Sequence, residues 1–198
     1  MSHAALPEQL PPAMPQLRAH LGRRLARWFV TACGWKLVGE FPDVARLVLI
    51  AAPHSSWWDG VWGLLVKIAI GADVSFMAKQ ELFGGPLGWI VRKLGGIPVE
   101  RGSTHGVVEQ MAARFENSPK LWIGIAPEGT RKVVKKWRTG FWHIARAADV
   151  PILPVYFHYP ERTIGVGPLF HTSEDVEADL QRLRAFYAPW RGKHRSVG

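Results

Sequence analysis

Short apolar runs rich in β-branched and aromatic residues alternate along this chain with stretches of helical periodicity. That alternation narrows the possible folds more than any other feature. The spacing predicts strands over 46–52, 74–78, 97–100, 121–126 and 152–157, and helices over 58–70, 86–94, 104–115, 140–148 and 174–187. In the 104–115 segment Val107, Val108, Met111, Ala112 and Phe115 share one side. In the last helix Val176, Leu180, Leu183 and Tyr187 form a stripe, and Thr172 followed by Asp175 reads as its capping box. Such alternation predicts an α/β fold with a mostly parallel central sheet flanked by helices. In that architecture ligands bind where strands end and helices begin.

The ends of the chain carry less pattern. Residues 1–13 are Pro-rich and read as loosely held. A helical pattern over 15–33 places Met14, Leu17, Leu21, Leu25, Trp28 and Phe29 on one face, with Arg23, Arg24 and Arg27 opposite. Two readings fit: a helix lying on a membrane surface, or one packed on its own domain with a solvated basic face. The chain accordingly divides into a tail and amphipathic helix over 1–35 and one folded domain over 36–198. The longest apolar run, 61–70, contains Lys67 and falls short of the roughly 20 residues a membrane span needs. The N-terminus lacks a signal-peptide pattern. Any membrane contact is therefore expected to be peripheral.

Three bulk properties bound the function. A formal net charge of +9 calls for an anionic partner, such as a membrane, a phosphorylated substrate or nucleic acid, and no nucleic-acid motif accompanies it. Ten Trp suit a protein that works where water meets lipid. Cys33 is the one cysteine, so an internal disulfide is impossible and no Cys-His metal cluster is expected; a reducing cytoplasm fits.

Four segments carry chemistry. In Ala51-Ala52-Pro53-His54-Ser55-Ser56-Trp57-Trp58-Asp59, a turn between strand and helix lets Asp59 reach back to one imidazole nitrogen of His54. That is a base with its orienting group and no protein nucleophile. In Ala126-Pro127-Glu128-Gly129-Thr130-Arg131, a strand end presents a cation, a hydroxyl and backbone N–H groups, which suits a phosphate or carboxylate. The segment from Gly95 to Gly102 is a Gly-led strand with Arg101 at its end, and residues 150–154 are a strand bracketed by prolines. His143 and His158 fall in no motif and read as structural. Lys132, Lys135, Lys136 and Arg138, with the C-terminal Arg182, Arg184, Arg191, Lys193 and Arg195, either bind lipid or nucleotide phosphates or form solvated basic loops.

In this order the four segments resemble the lysophospholipid acyltransferase family, typified by 1-acylglycerol-3-phosphate acyltransferases. Its His-x4-Asp motif, Gly-rich strand ending in Arg, Glu-Gly-Thr-Arg motif and late Val-Pro-Ile-x-Pro strand correspond to His54 and Asp59, Gly96 to Arg101, Glu128 to Arg131, and Val150 to Pro154. The resemblance implies that His54 is a general base oriented by Asp59. It implies that Arg101, Glu128, Gly129, Thr130 and Arg131 hold the acceptor head group. The donor would be acyl-CoA or acyl carrier protein as co-substrate, with no cofactor and no metal. The acceptor would be a lysolipid, met by peripheral contact with an anionic membrane on its cytoplasmic face. The chain departs from many such enzymes in having Pro53 before the histidine and Trp57-Trp58 before the aspartate, which bears on the acceptor more than on the reaction.

Two other readings make different predictions. A basic lipid- or polyanion-binding module without catalysis would bind in a salt-sensitive way that survives changes at His54 and Asp59. A hydrolase would use water as acceptor, but no Gly-x-Ser-x-Gly elbow is present.

Overall fold

The computed structural model describes residues 6–18, 21–99, 104–130, 134 and 136–197. Its strands are β1 (Lys36–Val38), β2 (Arg46–Ala52), β3 (Val74–Lys79), β4 (Gly96–Val99), β5 (Leu121–Ile125), β6 (Ile152–His158) and β7 (Thr163–Val166). Its helices are α1 (Leu21–Ala32), α2 (Trp57–Ile70), α3 (Gly85–Lys93), α4 (Thr104–Glu116), α5 (Gly140–Ala147) and α6 (Val176–Tyr187). Among the described residues the strands form one sheet in the order β1-β7-β6-β2-β5-β3-β4. Every neighbouring pair is parallel except β6 and β7. The expected mostly parallel sheet with flanking helices is therefore present. The expected strands and the helices after residue 57 match it to within about two residues at each end.

The central strands are apolar throughout because helices cover both faces of the sheet. Along β2 the side chains alternate between two clusters. Val48, Ile50 and Ala52 pack with Phe115, Phe141 and Leu183 from α4, α5 and α6. Leu47 packs on the other face with Val30 and Ala69 from α1 and α2. β1 and β7 were not foreseen, since three and four residues are too few to show alternation.

Pro154 lies inside β6, a central strand, where a missing N–H would ordinarily break the ladder. Its carbonyl accepts from Gly167 N–H at 2.8 Å, on the side away from β2, so the pairing to β2 survives. The buried Tyr187 hydroxyl braces the same pair of strands, 2.8 Å from Ile50 O and 3.1 Å from Val155 O. Burial raises its pKa well above the usual phenol value, so it stays a donor. Replacing Tyr187 with Phe should cost about 1 kcal/mol and lower Tm by about 2–4 °C, measured by urea and thermal unfolding.

Three expectations are corrected. Residues 6–13 are not loose: Leu6 is buried, Met14 beside them is fully so, and Gln16 bridges Ala72. The stretch bends at Glu8 and Gln9 and turns at Pro12 and Ala13, where Met14 N–H donates to Pro11 O at 3.1 Å. Met14 therefore belongs to the core and not to a helix face, and the described helix begins at Leu21. The cap of α6 is Asp175, which accepts from Glu177 N–H and Ala178 N–H at 3.0 Å, and not Thr172. It is the residue directly before the first helical turn, where a cap must sit.

The third correction concerns α1. Its basic face is not solvated as a whole. Arg27 donates to Leu6 O and Pro7 O at 2.8 Å, and Arg23 to Glu8 O at 3.1 Å. A segment outside helix and sheet has carbonyls to satisfy, and guanidinium groups supply several donors. Ala26 and Val30 are buried. The greasy face is consequently turned outward: Leu21 is 80%, Leu25 70%, Trp28 68% and Phe29 43% exposed. Among the described residues no helix is long and apolar enough to cross a membrane.

Candidate active site

β2 and β5 are parallel neighbours, with Ile50 opposite Ile125, so the segments leaving their carboxyl ends emerge side by side. One carries His54 and the other Glu128. This is the place where an α/β sheet builds its sites.

The turn from β2 into α2 shows why histidine and aspartate are four residues apart. Ser56 is the N-cap of α2 and Asp59 its third residue, and together they form a capping box. The Asp59 carboxylate accepts from Ser55 N–H at 2.7 Å and Ser56 N–H at 2.8 Å. Its Oδ1 accepts from the Tyr159 hydroxyl at 2.6 Å. Three donors thus hold a carboxylate whose side chain has no exposed surface. Oδ2 lies 3.5 Å from His54 Nδ1. A neighbouring carboxylate favours the tautomer with the proton on Nδ1 and leaves Nε2 as the basic nitrogen. Burial, and then the bond to Asp59, raise the Tyr159 pKa well above the usual phenol range, so its hydroxyl remains a donor.

His54 is held through its backbone as well. Its N–H points at Glu128, 3.3 and 3.2 Å from the two carboxylate oxygens. Glu128 is 1% exposed and turned beneath the loop. Burial raises its pKa, and the Arg195 guanidinium at 2.6 Å opposes that rise. Gly129 has φ +64°, and a Cβ there would come within 2.6 Å of Arg138 Cδ, so glycine meets both a backbone and a space requirement.

His54 lines two cavities. The first, of about 330 Å³, is walled by apolar residues such as Leu49, Leu64, Phe157 and Ile164, with Asp59 and Lys67 also in its lining. The Lys67 ammonium donates to Val74 O at 2.6 Å and Leu94 O at 2.7 Å, which keeps its charge out of the cavity. The second, of about 970 Å³, is lined by Gly129, Thr130, Arg138 and Thr139 as well as by apolar groups from α4 and α5. One imidazole therefore lines both a greasy cavity and a larger cleft of mixed polar and apolar character.

Of the residues singled out in the sequence, the fold brings together His54, Asp59, Glu128, Gly129 and Thr130. Arg101 and Arg131, with Lys132 and Lys135, lie outside the described residues. The Val150-to-Pro154 segment leads into β6, the structural neighbour of β2. His158 is structural as expected, its Nδ1 accepting from Arg191 N–H. Sequence reasoning missed Tyr159, and it read Arg195 as a phosphate-binding or solvated cation where the structure pairs it with buried Glu128; their partners are 100 and 67 residues away. It also missed the cap role of Ser56, which the Ser-x-x-Asp spacing does signal.

Residues 39–158 match the Acyltransferase family model. The chain belongs to the acyltransferase family. Its fold resembles the crystal structure of the 1-acyl-sn-glycerophosphate (LPA) acyltransferase PlsC from Thermotoga maritima, with a TM-score of 0.57 and 20% identity over 86% of this chain and 80% of that one. In sequence it is 28% identical over 145 residues to the 1-acyl-sn-glycerol-3-phosphate acyltransferase of Haemophilus influenzae. That match takes in 66% of this chain and 58% of the relative's length. The matched family segment contains His54, Asp59 and Glu128, but ends before Tyr159, before Ile164 in the wall of the apolar cavity, and before the C-terminal residue that touches Glu128.

Proposed function

We propose that this acyltransferase moves a fatty acyl group from acyl-CoA or acyl carrier protein to a hydroxyl of a lysophospholipid such as 1-acylglycerol-3-phosphate. The observation that carries the reading is His54 on the shared wall of an apolar cavity and a larger cleft that also holds Thr130, Arg138 and Thr139, with Asp59 behind it. The acyl chain enters the apolar cavity and the acceptor head group occupies the cleft. His54 Nε2 takes the acceptor proton as its oxygen attacks the thioester carbonyl carbon. Asp59, beside Nδ1, steadies the imidazolium. The tetrahedral intermediate collapses, the carbon–sulfur bond breaks, and the imidazolium returns its proton to the thiolate. Thr130, Arg101 and Arg131 hold the head-group phosphate, Gly129 lets the loop turn, and Glu128 contributes by fixing that loop from below.

The test mixes the purified protein with an acyl donor and a panel of lysolipids, using both acyl-CoA and acyl carrier protein. Free thiol release that depends on acceptor and vanishes in His54→Ala supports the reading. Absence of such release with every donor and acceptor sinks it.

The same reading places the protein at a membrane, where lysolipids reside. The outward face of α1 supports this. It continues through stacked rings: Phe29 with Trp62 at 6.1 Å, Trp62 with Trp58 at 6.5 Å, and Trp58 with Trp57 at 4.2 Å. Trp57 is 56% exposed. This aromatic plane beside the apolar cavity sits in the interfacial layer, and the net charge of +9 favours an anionic, cytoplasmic leaflet. Replacing Leu25 and Trp28 together by Ser should weaken binding to phosphatidylglycerol vesicles by at least about tenfold, read by co-sedimentation, with Tm unchanged.

A further inference from the structure

The C-terminal residues beyond the family match reach back under the catalytic loop. Trp190 N–H donates to Tyr187 O, and Arg191 then joins the end of β6. Tyr159 N–H donates to Arg191 O at 2.9 Å, and Arg191 N–H to His158 Nδ1 at 3.1 Å. The chain reverses in a small hairpin, with Arg191 bridging Ser196 and Gly192 N–H donating to Arg195 O. The hairpin lies tightly on the loop that carries His54. A Cβ on Gly192 would stand 2.7 Å from Ser55 Oγ and 3.2 Å from Pro53 Cβ. His194 N–H donates to Ser55 Oγ at 3.3 Å.

Arg195 makes the decisive contacts. Its Nη2 donates to Glu128 at 2.6 Å and to His54 O at 3.2 Å. Glu128 in turn accepts from His54 N–H. The two peptide groups flanking His54 are therefore held from both sides, the N–H by a carboxylate and the C=O by the guanidinium paired with it. Those contacts set the backbone from which the imidazole projects. The side chains of Arg195 and Glu128 are 15% and 1% exposed, so the pair is weakly screened.

We propose that the hairpin over residues 191–196 is part of the active site, with Arg195 a positioning residue that acts through Glu128 and the His54 backbone. The proposal rests on the acyl-transfer reading for its kinetic consequence. Without Arg195, Glu128 remains buried with no cation beside it, and burial then drives it toward protonation. The clamp loses its charge and half of its bonds. The imidazole shifts relative to Asp59 and to the acceptor oxygen, and small misplacements of a general base carry large rate penalties.

The experiment compares wild type with Arg195→Gln, Arg195→Lys and the double variant Glu128→Gln/Arg195→Gln. Two readouts are used: steady-state acyl transfer, and hydrogen–deuterium exchange of the peptide covering residues 53–57. Arg195→Gln should lower kcat by about 10- to 100-fold with KM for donor and acceptor within about threefold. Arg195→Lys, which keeps the charge, should recover most of that loss. The double variant should be little worse than Arg195→Gln, because the two side chains act as one unit. Exchange at 53–57 should rise in Arg195→Gln while Tm changes little. An Arg195→Gln enzyme with wild-type kcat and unchanged exchange overturns the proposal, as does a loss confined to KM. If wild type itself shows no His54-dependent turnover, the function is wrong, and the exchange readout alone decides whether the clamp exists.

Discussion

His54→Ala should lower kcat for acyl transfer by about 10²–10⁴-fold and leave the fold intact. The imidazole is a quarter exposed and lies at the boundary of two cavities, so little packing is lost with it. The contacts that shape the loop belong to the His54 backbone, whose N–H meets Glu128 and whose C=O meets Arg195. Alanine keeps both. Thermal unfolding should stay within about 2 °C of wild type, as for a substitution that touches no core or cap. Acceptor-dependent thiol release measured at saturating donor is the check. A variant that retains more than a tenth of wild-type kcat removes His54 from the role of base.

Asp59→Asn should behave differently, and the difference is diagnostic. It is expected to lower kcat by a similar factor of about 10²–10⁴ and, in addition, to destabilise the protein by about 1–3 kcal/mol. The carboxylate receives Ser55 N–H and Ser56 N–H on one oxygen and the Tyr159 hydroxyl on the other. An amide offers one oxygen and one NH₂ group. With its oxygen on the two backbone N–H groups, the NH₂ meets the Tyr159 hydroxyl, which must turn round to accept; turned the other way, the NH₂ faces the two N–H donors, and in both cases bonds to a charged acceptor become weaker neutral ones. The capping box of α2 loses its charged member, and the imidazolium formed during the reaction loses its counter-charge. Activity and Tm should therefore fall together here, whereas His54→Ala separates them. An Asp59→Asn protein with wild-type stability would mean that the carboxylate does not hold the turn.

The contrast explains why this pair was legible before any coordinates. A capping box and a base-orienting carboxylate both act over a few residues, so the His-x4-Asp spacing encodes them locally. The strands and helices were legible for the same reason, since periodicities of two and of 3.6 record which side of each element meets the core. The strand–helix alternation predicted sites where strands end, which is where β2 and β5 bring His54 and Glu128 together.

Other features had no local signal. The sequence of α1 shows a greasy face and a basic face but not which of them turns inward. That was decided by the carbonyls of residues 6–8, which claim Arg23 and Arg27, and by the narrow Ala26–Val30 contact. Glu128 looked like a head-group ligand, yet its oxygens point to the backbone of His54 and to Arg195. Arg195 and His54 are 141 residues apart, and Tyr159 and Asp59 are 100 apart. The sequence by itself determined the elements, their faces and the short-range geometry of the base and its partner, because those depend on residues within a turn or two of each other. Only the tertiary structure decided which distant donors surround them, because a buried carboxylate takes its partners from whatever elements the sheet order places beside it.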